Sequence, residues 1–516
     1  MENSTAENTS SAKPKKRLVD SYIVIADNVP ARISVWNVDQ ETVPIYQIET
    51  PRIGRATAAV LDSMIEELAS KVPVEVEEII DSQKAREHKE KFLHHIETRV
   101  KEKLGCTDEE KLVFAGVLLH KMFGLGEIEV LVADNMLEEV AVNGSKEPVS
   151  VYHKHYGWCK TNMFIRTETD IYNLSSQIGR KVGNEISSLN PIMDSHLLTG
   201  DRVASTLFPI STLGNTITIR RFARNPWTAI HFLDPAINTI SKEIVAFLWL
   251  AMQYELNIMV AGGTASGKTS MLNSLCTFIP PKQRVISIED TRELYLPKEL
   301  HWNWVPLNSR LPNPEGHGAV TMLDLMVASL RMRPDRIVVG EVRRREQAEA
   351  MFEAMHTGHS VYATMHADTV QQVKRRLIEP PIAVPKAEIE ALHLILIQYR
   401  DRRRGKRRTL ELAEVLAATT EDLEVNYLYR WQPRTDAFMK VKDSIRVYDD
   451  LNLHTGMTPG EINEDLKEKQ KVLTWMLKNN IKDINKFGNV MRYYYKEYDI
   501  LMDVVNKNLT PERILG

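Results

Sequence analysis

The stretch GGTASGKT, Gly262 to Thr269, has the spacing G-x-x-x-x-G-K-[ST]. It follows an apolar, strand-like run, Leu256 to Val260, and leads into residues 268–275, which suit a helix. That context is what phosphate chemistry needs. Gly262, Gly263 and Gly267, with the small residues Thr264, Ala265 and Ser266 among them, let the backbone curl until successive N–H groups point at phosphate oxygens. A helix N-terminus behind the curl adds partial positive charge. Lys268 is then expected to reach the β- and γ-phosphates of ATP, and the Thr269 hydroxyl, with Ser270 beside it, to complete a Mg2+ shell. The bland alternative, a glycine-rich turn with no ligand, does not account for the flanking strand and helix.

Three further apolar runs end in polar chemistry. RVISIEDTRE (284–293) delivers Glu289 and Asp290, RIVVGEVR (336–343) delivers Glu341 and Arg343, and HTGHSVYATMHAD (356–368) carries His359 before a strand and His366 after it. In an open parallel sheet, ligands bind beyond the carboxyl ends of the strands, so these groups are expected to converge on one nucleotide. Taken singly, a carboxylate after a strand is often a helix cap and a loop histidine is often structural. The second run raises a question: a nucleotide hydrolase usually ends that strand in a metal-binding aspartate, and here Gly340 stands in its place.

The combination resembles the type II/type IV secretion ATPase family, which powers secretion, pilus assembly and retraction, conjugative transfer and, in archaea, the archaellum. Four motifs carry the resemblance, in order: GGTASGKT, ISIEDTRE, RIVVGEVR and TGHSVYATMHADT. It extends upstream through DNMLEEVAVNG, PIMDSHLLTGDRVASTLFP and TITIRRF, covering roughly residues 100–420. The family shows the same glycine followed by a glutamate. The resemblance therefore implies that Glu341 takes over the work at Mg2+ and the attacking water, with Glu289 facing the same metal. It implies that His359 and His366 sense or hold the γ-phosphate, and that Arg343 ties the strand end to the acidic box. It also implies a ring-shaped homo-hexamer in which Arg202 and Arg220 complete the site, working on a polytopic membrane platform protein at the inner face of the membrane. Two features depart from the pattern. The chain lacks the four-cysteine zinc insertion of bacterial type II members, and Arg344 and Arg345 follow Arg343 where an acid is common. The first favours the archaeal or conjugation-like branches.

The elements that must position these groups are legible at low resolution. Residues 1–17 read as a disordered tail, 18–105 as a helical or mixed subdomain, and 106–222 as a second α/β subdomain. A linker is expected over 223–235, a RecA-like P-loop ATPase core over 236–420, and a strand-plus-helix extension over 421–516. The fold class is thus α/β, with a smaller α+β region in front. Period-two alternation puts Thr216, Thr218 and Arg220 on one strand face and Ile217, Ile219 and Arg221 on the other.

Composition bounds the function. Charged residues make up 26% and hydrophobic ones 43%, the balance of a globular protein, and a formal net charge of −3 supplies no global field for nucleic acid or anionic lipid. Three distant cysteines, Cys106, Cys159 and Cys276, indicate a reducing compartment and no zinc site. The N-terminal stretch has no apolar signal core, and the longest apolar run, Ile244 to Met252, is too short for a bilayer, so a cytoplasmic location is expected. The basic run YRDRRRGKRRT (399–409) reads as a solvated hairpin turning at Gly405. Two other classes stay open: a nucleic-acid translocase, against which the weak charge and lack of interleaved aromatics count, and a nucleotide-binding scaffold without turnover. No LSGGQ-like segment supports an ABC-type subunit.

Overall fold

The computed structural model describes residues 16–69, 82–197, 199–221, 226–310, 312, 316–418 and 423–515. The chain divides into two units, Met1–Ala223 and Arg224–Gly516.

The first unit is built on a nine-stranded sheet. Its strands are β1 (Lys16–Ala26), β2 (Val29–Val38), β3 (Ile45–Glu49), β4 (Leu137–Asn143), β5 (Ser150–His153), β6 (Gly157–Thr161), β7 (Ile192–His196), β8 (Arg202–Thr206) and β9 (Thr216–Arg220). They lie in the order β1-β2-β3-β6-β5-β4-β9-β8-β7, antiparallel except where β3 meets β6. The tail expected over 1–17 falls outside the described residues as far as residue 15, and Lys16 and Arg17 already belong to β1. The expected split at 105/106 does not separate two sheets. Ile33, Val35 and Tyr46 pack in one core with Val140, Val151 and Ile219, because the inward face of β2 and β3 needs the later strands to cover it. The helices Arg55–Ala69, Ser82–Leu104 and Asp108–Met122 form a separate small core around Leu61, Met64, Ile96 and Leu118. Thr107 starts the last of them, accepting from the Glu110 N–H while the Glu110 carboxylate accepts from the Thr107 N–H.

The second unit holds β10 (Ile258–Gly262), β11 (Val285–Glu289), β12 (Trp304–Asn308), β13 (Arg336–Val339), β14 (Ser360–Met365), β15 (Leu394–Asp401), β16 (Lys406–Ala418), β17 (Leu423–Gln432) and β18 (Ala437–Lys440). Their order is β12-β11-β13-β14-β10-β15-β16-β17-β18. The pairings from β12 to β15 are parallel and the rest antiparallel. Every residue of β10, β11, β13 and β14 is buried, as a parallel sheet covered on both faces requires. Ile258 and Val260 face one core with the helix Lys242–Gln253, while Met259 and Ala261 face a second with the helix Arg345–His356. This is an α/β architecture with a parallel sheet covered on both faces, and it places the carboxyl ends of β10, β11, β13 and β14 on one side.

Two expected boundaries move. Residues 222–225 lie outside the described residues, but the remainder of the supposed linker contains the helix Ala229–Leu233, whose apolar side chains are buried in the core. The supposed extension is part of the same body: β17 and β18 continue the sheet, and Val472, Trp475 and Phe487 share a core with Leu248 and Trp249. Trp249 stacks on Phe278 and donates from Nε1 to Tyr495 Oη at 2.9 Å. The 399–409 run forms the β15–β16 hairpin, turning at Gly405 with φ +65°. Its tip, Arg402 to Arg404, is exposed, but Arg408 is buried, so the solvated reading holds only at the tip. Among the described residues, no helix is long and apolar enough to cross a membrane.

Candidate nucleotide-binding site

The loop after β10 curls as its sequence requires. Gly267 caps the helix Lys268–Cys276 with φ +94°, and Ala265 also takes a left-handed φ of +57°, a strained choice for a residue with a Cβ. The Lys268 ammonium folds back to donate to the Gly263 carbonyl at 3.2 Å. Burial lowers its pKa, and the charges of Glu341, Glu293 and Asp368 oppose that shift. Three carboxylates are therefore close enough to act electrostatically on the lysine that is expected to meet phosphate. Asp368 lies close enough that a Cβ on Gly263 would sit 2.6 Å from its Oδ1. Glu293 and Asp368 were missed in the sequence: one stands at the end of the acidic box and the other after the second histidine, and only the folded loops show which way they face.

At the end of β13, Arg343 holds two carboxylates together. Its Nε donates to Glu341 Oε2 at 2.8 Å, its Nη2 lies 2.7 Å from the same oxygen, and its Nη1 donates to Asp290 Oδ2 at 3.0 Å. Ser309 Oγ donates to Asp290 Oδ1 at 3.0 Å. Strand end and acidic box are thus linked through one guanidinium.

Gly340 sits beside β11, its N–H donating to the Ile288 carbonyl at 2.8 Å. A Cβ built on it would lie 3.4 Å from both Cα and Cγ of Glu289. A Cβ there would make ordinary van der Waals contact, so Gly340 lies close beside Glu289 without strain in the backbone. Glu289 itself is 2% exposed. Its Oε1 accepts from the N–H groups of Glu293 and Leu294 at 2.8 and 3.0 Å. Burial pushes its carboxyl up to about 7, against those two bonds. Glu289 Oε1 thus holds the turn that carries Glu293, while its Oε2 is buried with no hydrogen-bond partner among the described residues.

The two histidines part company. His366 follows β14 and its Nε2 is 2.9 Å from Thr264 Oγ1 in the phosphate loop. His359 precedes β14, with Nδ1 near Thr357 Oγ1 and the Ala354 carbonyl. A strand of this length spans roughly 20 Å, so His359 lies at the opposite edge of the sheet from the loop. Its expected contact with the γ-phosphate is not compatible with this placement.

In the first unit, Arg202 and Arg220 stand directly opposite each other on β8 and β9. Arg202 Nε donates to Asp194 Oδ1 at 2.9 Å, and Arg220 is exposed opposite Glu139 of β4. Arg221 is turned inward, its side chain 3% exposed and 3.6 Å from the buried Asp201. The strand alternation thus sorts the neighbouring arginines into an outer and an inner one.

Among the described residues, no group of three or more His, Cys, Asp or Glu side chains is gathered closely enough to hold a metal ion by itself. That is compatible with Mg2+, which takes few protein ligands and fills its shell with water and phosphate oxygens.

Residues 200–403 match the family model described as "Type II/IV secretion system protein". An uncharacterized protein of Methanocaldococcus jannaschii is 32% identical over 416 residues, covering 79% of this chain and 74% of that one. The type IV secretion system protein PtlH of Bordetella pertussis is 31% identical over 246 residues, covering 44% of this chain and 72% of that one. The X-ray structure of the Legionella pneumophila ATPase DotB aligns at 18% identity and TM-score 0.40, over 75% of this chain and 92% of that one. With its phosphate loop, glycine-ended strand and acidic and histidine boxes on one sheet, the chain belongs to the type II/IV secretion system protein family.

Proposed function

We propose that this chain is a Mg2+-dependent ATPase motor, working as a ring-shaped homo-hexamer at the cytoplasmic face of a membrane. Its work is to drive a secretion, type IV pilus-like or archaellum machine through a polytopic membrane partner. The observation that carries the reading is the cluster at the strand ends, where Arg343 clamps Glu341 to Asp290 and Lys268 lies among the charges of Glu341, Glu293 and Asp368. Lys268 and the N–H groups of the loop hold the phosphates, and Glu341 orients the attacking water and takes its proton. His366, held to Thr264 of the phosphate loop, would stand by the terminal phosphate. Thr269, Glu289 and Glu341 would hold Mg2+, which when bound would neutralise charge on phosphate oxygens. Glu289 positions Glu293. Arg202 and Arg220 are the arginines that would stabilise transition-state charge in the assembled ring.

The net charge of −3 weighs against a nucleic-acid translocase, and an ordered carboxylate–arginine cluster is more than a silent scaffold needs. The test is specific activity against protein concentration, with sedimentation to count subunits. Turnover per chain should climb as rings form and fall in Arg220→Ala by roughly 10³-fold or more, the scale of an arginine finger. A flat wild-type profile with normal turnover in Arg220→Ala would show that each chain hydrolyses alone.

A further inference from the structure

Two strands beyond the phosphate loop, β16 opens with Lys406, Arg407 and Arg408. Alternation sends the first and third one way and the second the other. Lys406 Nζ lies 2.9 Å from Asp436 Oδ2, and Arg408 grips Asp436 with Nε and Nη2 at 2.7 and 2.8 Å. Trp431 Nε1 adds a third donor at 2.9 Å. The Arg408 guanidinium holds the Asp436 carboxyl well below the usual carboxylate range, so this anchor stays charged. Arg407, fixed between two pinned neighbours, points to the phosphate loop. Its Nε donates to the Ala265 carbonyl at 3.1 Å, and its Cδ lies 3.7 Å from where a Cβ on Gly267 would be. Its two terminal nitrogens donate to no protein group among the described residues.

The direction of approach matters. Glu341, Glu293 and His366 follow β13, β11 and β14, on one side of β10, whereas β16 lies on the other. The charges that act most on Lys268 come from that first side and include Glu341, Glu293, Asp368 and Arg343. Arg407 is thus a cation on the flank remote from the hydrolytic carboxylates. We propose that Arg407 is a nucleotide-binding residue, contacting the phosphates that ATP and ADP share and acting on affinity, not on turnover. The proposal rests on the nucleotide-binding reading above and extends it to a strand outside the four family motifs.

Titration of fluorescent N-methylanthraniloyl-ADP and -ATP into the full chain tests it, beside steady-state kinetics. Arg407→Ala should weaken both nucleotides alike, by roughly tenfold or more, as befits a lost charge-assisted hydrogen bond. It should raise KM and leave kcat at saturating ATP unchanged. Arg407→Lys should recover most of the affinity, and Arg407→Gln, which can still donate to Ala265, should not. Arg403→Ala, at the exposed hairpin tip, should bind as the wild type does. Wild-type affinity in Arg407→Ala overturns the proposal, as does rescue by Gln, a loss confined to ATP or to kcat, or an equal loss in Arg403→Ala. If the wild type itself binds neither nucleotide, the underlying nucleotide reading has failed, which is a different result.

Discussion

Arg343→Ala separates the site's function from the protein's stability. The guanidinium makes three short contacts, two to Glu341 and one to Asp290, yet its side chain is 59% exposed. Ion pairs that open to water contribute under about 1 kcal/mol to folding, so the melting temperature should hardly move. Glu341 depends on those contacts for its orientation. Freed from Arg343, its carboxylate can swing toward solvent, and displacements of about 1 Å in a reacting group cost on the order of 10²-fold in rate. That corresponds to about 2.7 kcal/mol of barrier. Arg343→Lys keeps the charge but cannot fork between two carboxylates, so it should fall between wild type and Ala. Phosphate release at saturating ATP gives kcat, and thermal unfolding of the same samples gives stability. Wild-type kcat in Arg343→Ala would refute the clamp. Loss of turnover in step with loss of fold would show that Arg343 is structural.

The inner and outer arginines of the first unit should behave oppositely in urea titrations. Arg221→Ala leaves Asp201 buried without its cation and should cost about 3–5 kcal/mol, whereas Arg220→Ala, at an exposed position, should cost under about 1 kcal/mol. Burial and the nearby Lys482 charge lower the pKa of His231 from 6.5 to about 4, and Asp234 opposes the shift. Because the folded state resists the proton that the unfolded chain accepts, stability should be intact above pH 6.5 and drain away as pH falls toward 4. Urea midpoints for His231→Gln should therefore fall less over that interval than the wild type's.

The sequence carried the parts of this site that depend on local spacing. GGTASGKT sets both the curl of the loop and the helix that follows, and the apolar runs before Glu289, Glu341 and His366 did become neighbouring parallel strands. Period-two alternation also separated Arg220 from Arg221. What it could not carry was direction. His359 and His366 share a motif, but a strand between them sets them at opposite edges of the sheet. Glu289 and Glu293 lie in one acidic box, yet the turn between them buries the first and leaves the second near enough for its charge to act on Lys268. Domain limits failed for a related reason. A strand pairing such as β3 with β6 joins segments whose partnership no local pattern encodes.

The central claim is that the metal and water site is built differently, with Glu341 in place of an aspartate at position 340. The most direct measurement compares wild type and Glu341→Gln for nucleotide affinity and for phosphate release in Mg2+, on the same assembled protein. Affinity should be unchanged and turnover should fall by roughly 10²–10⁴, the scale of a lost general base. Glu341→Gln that binds and hydrolyses ATP at the wild-type rate would contradict the claim.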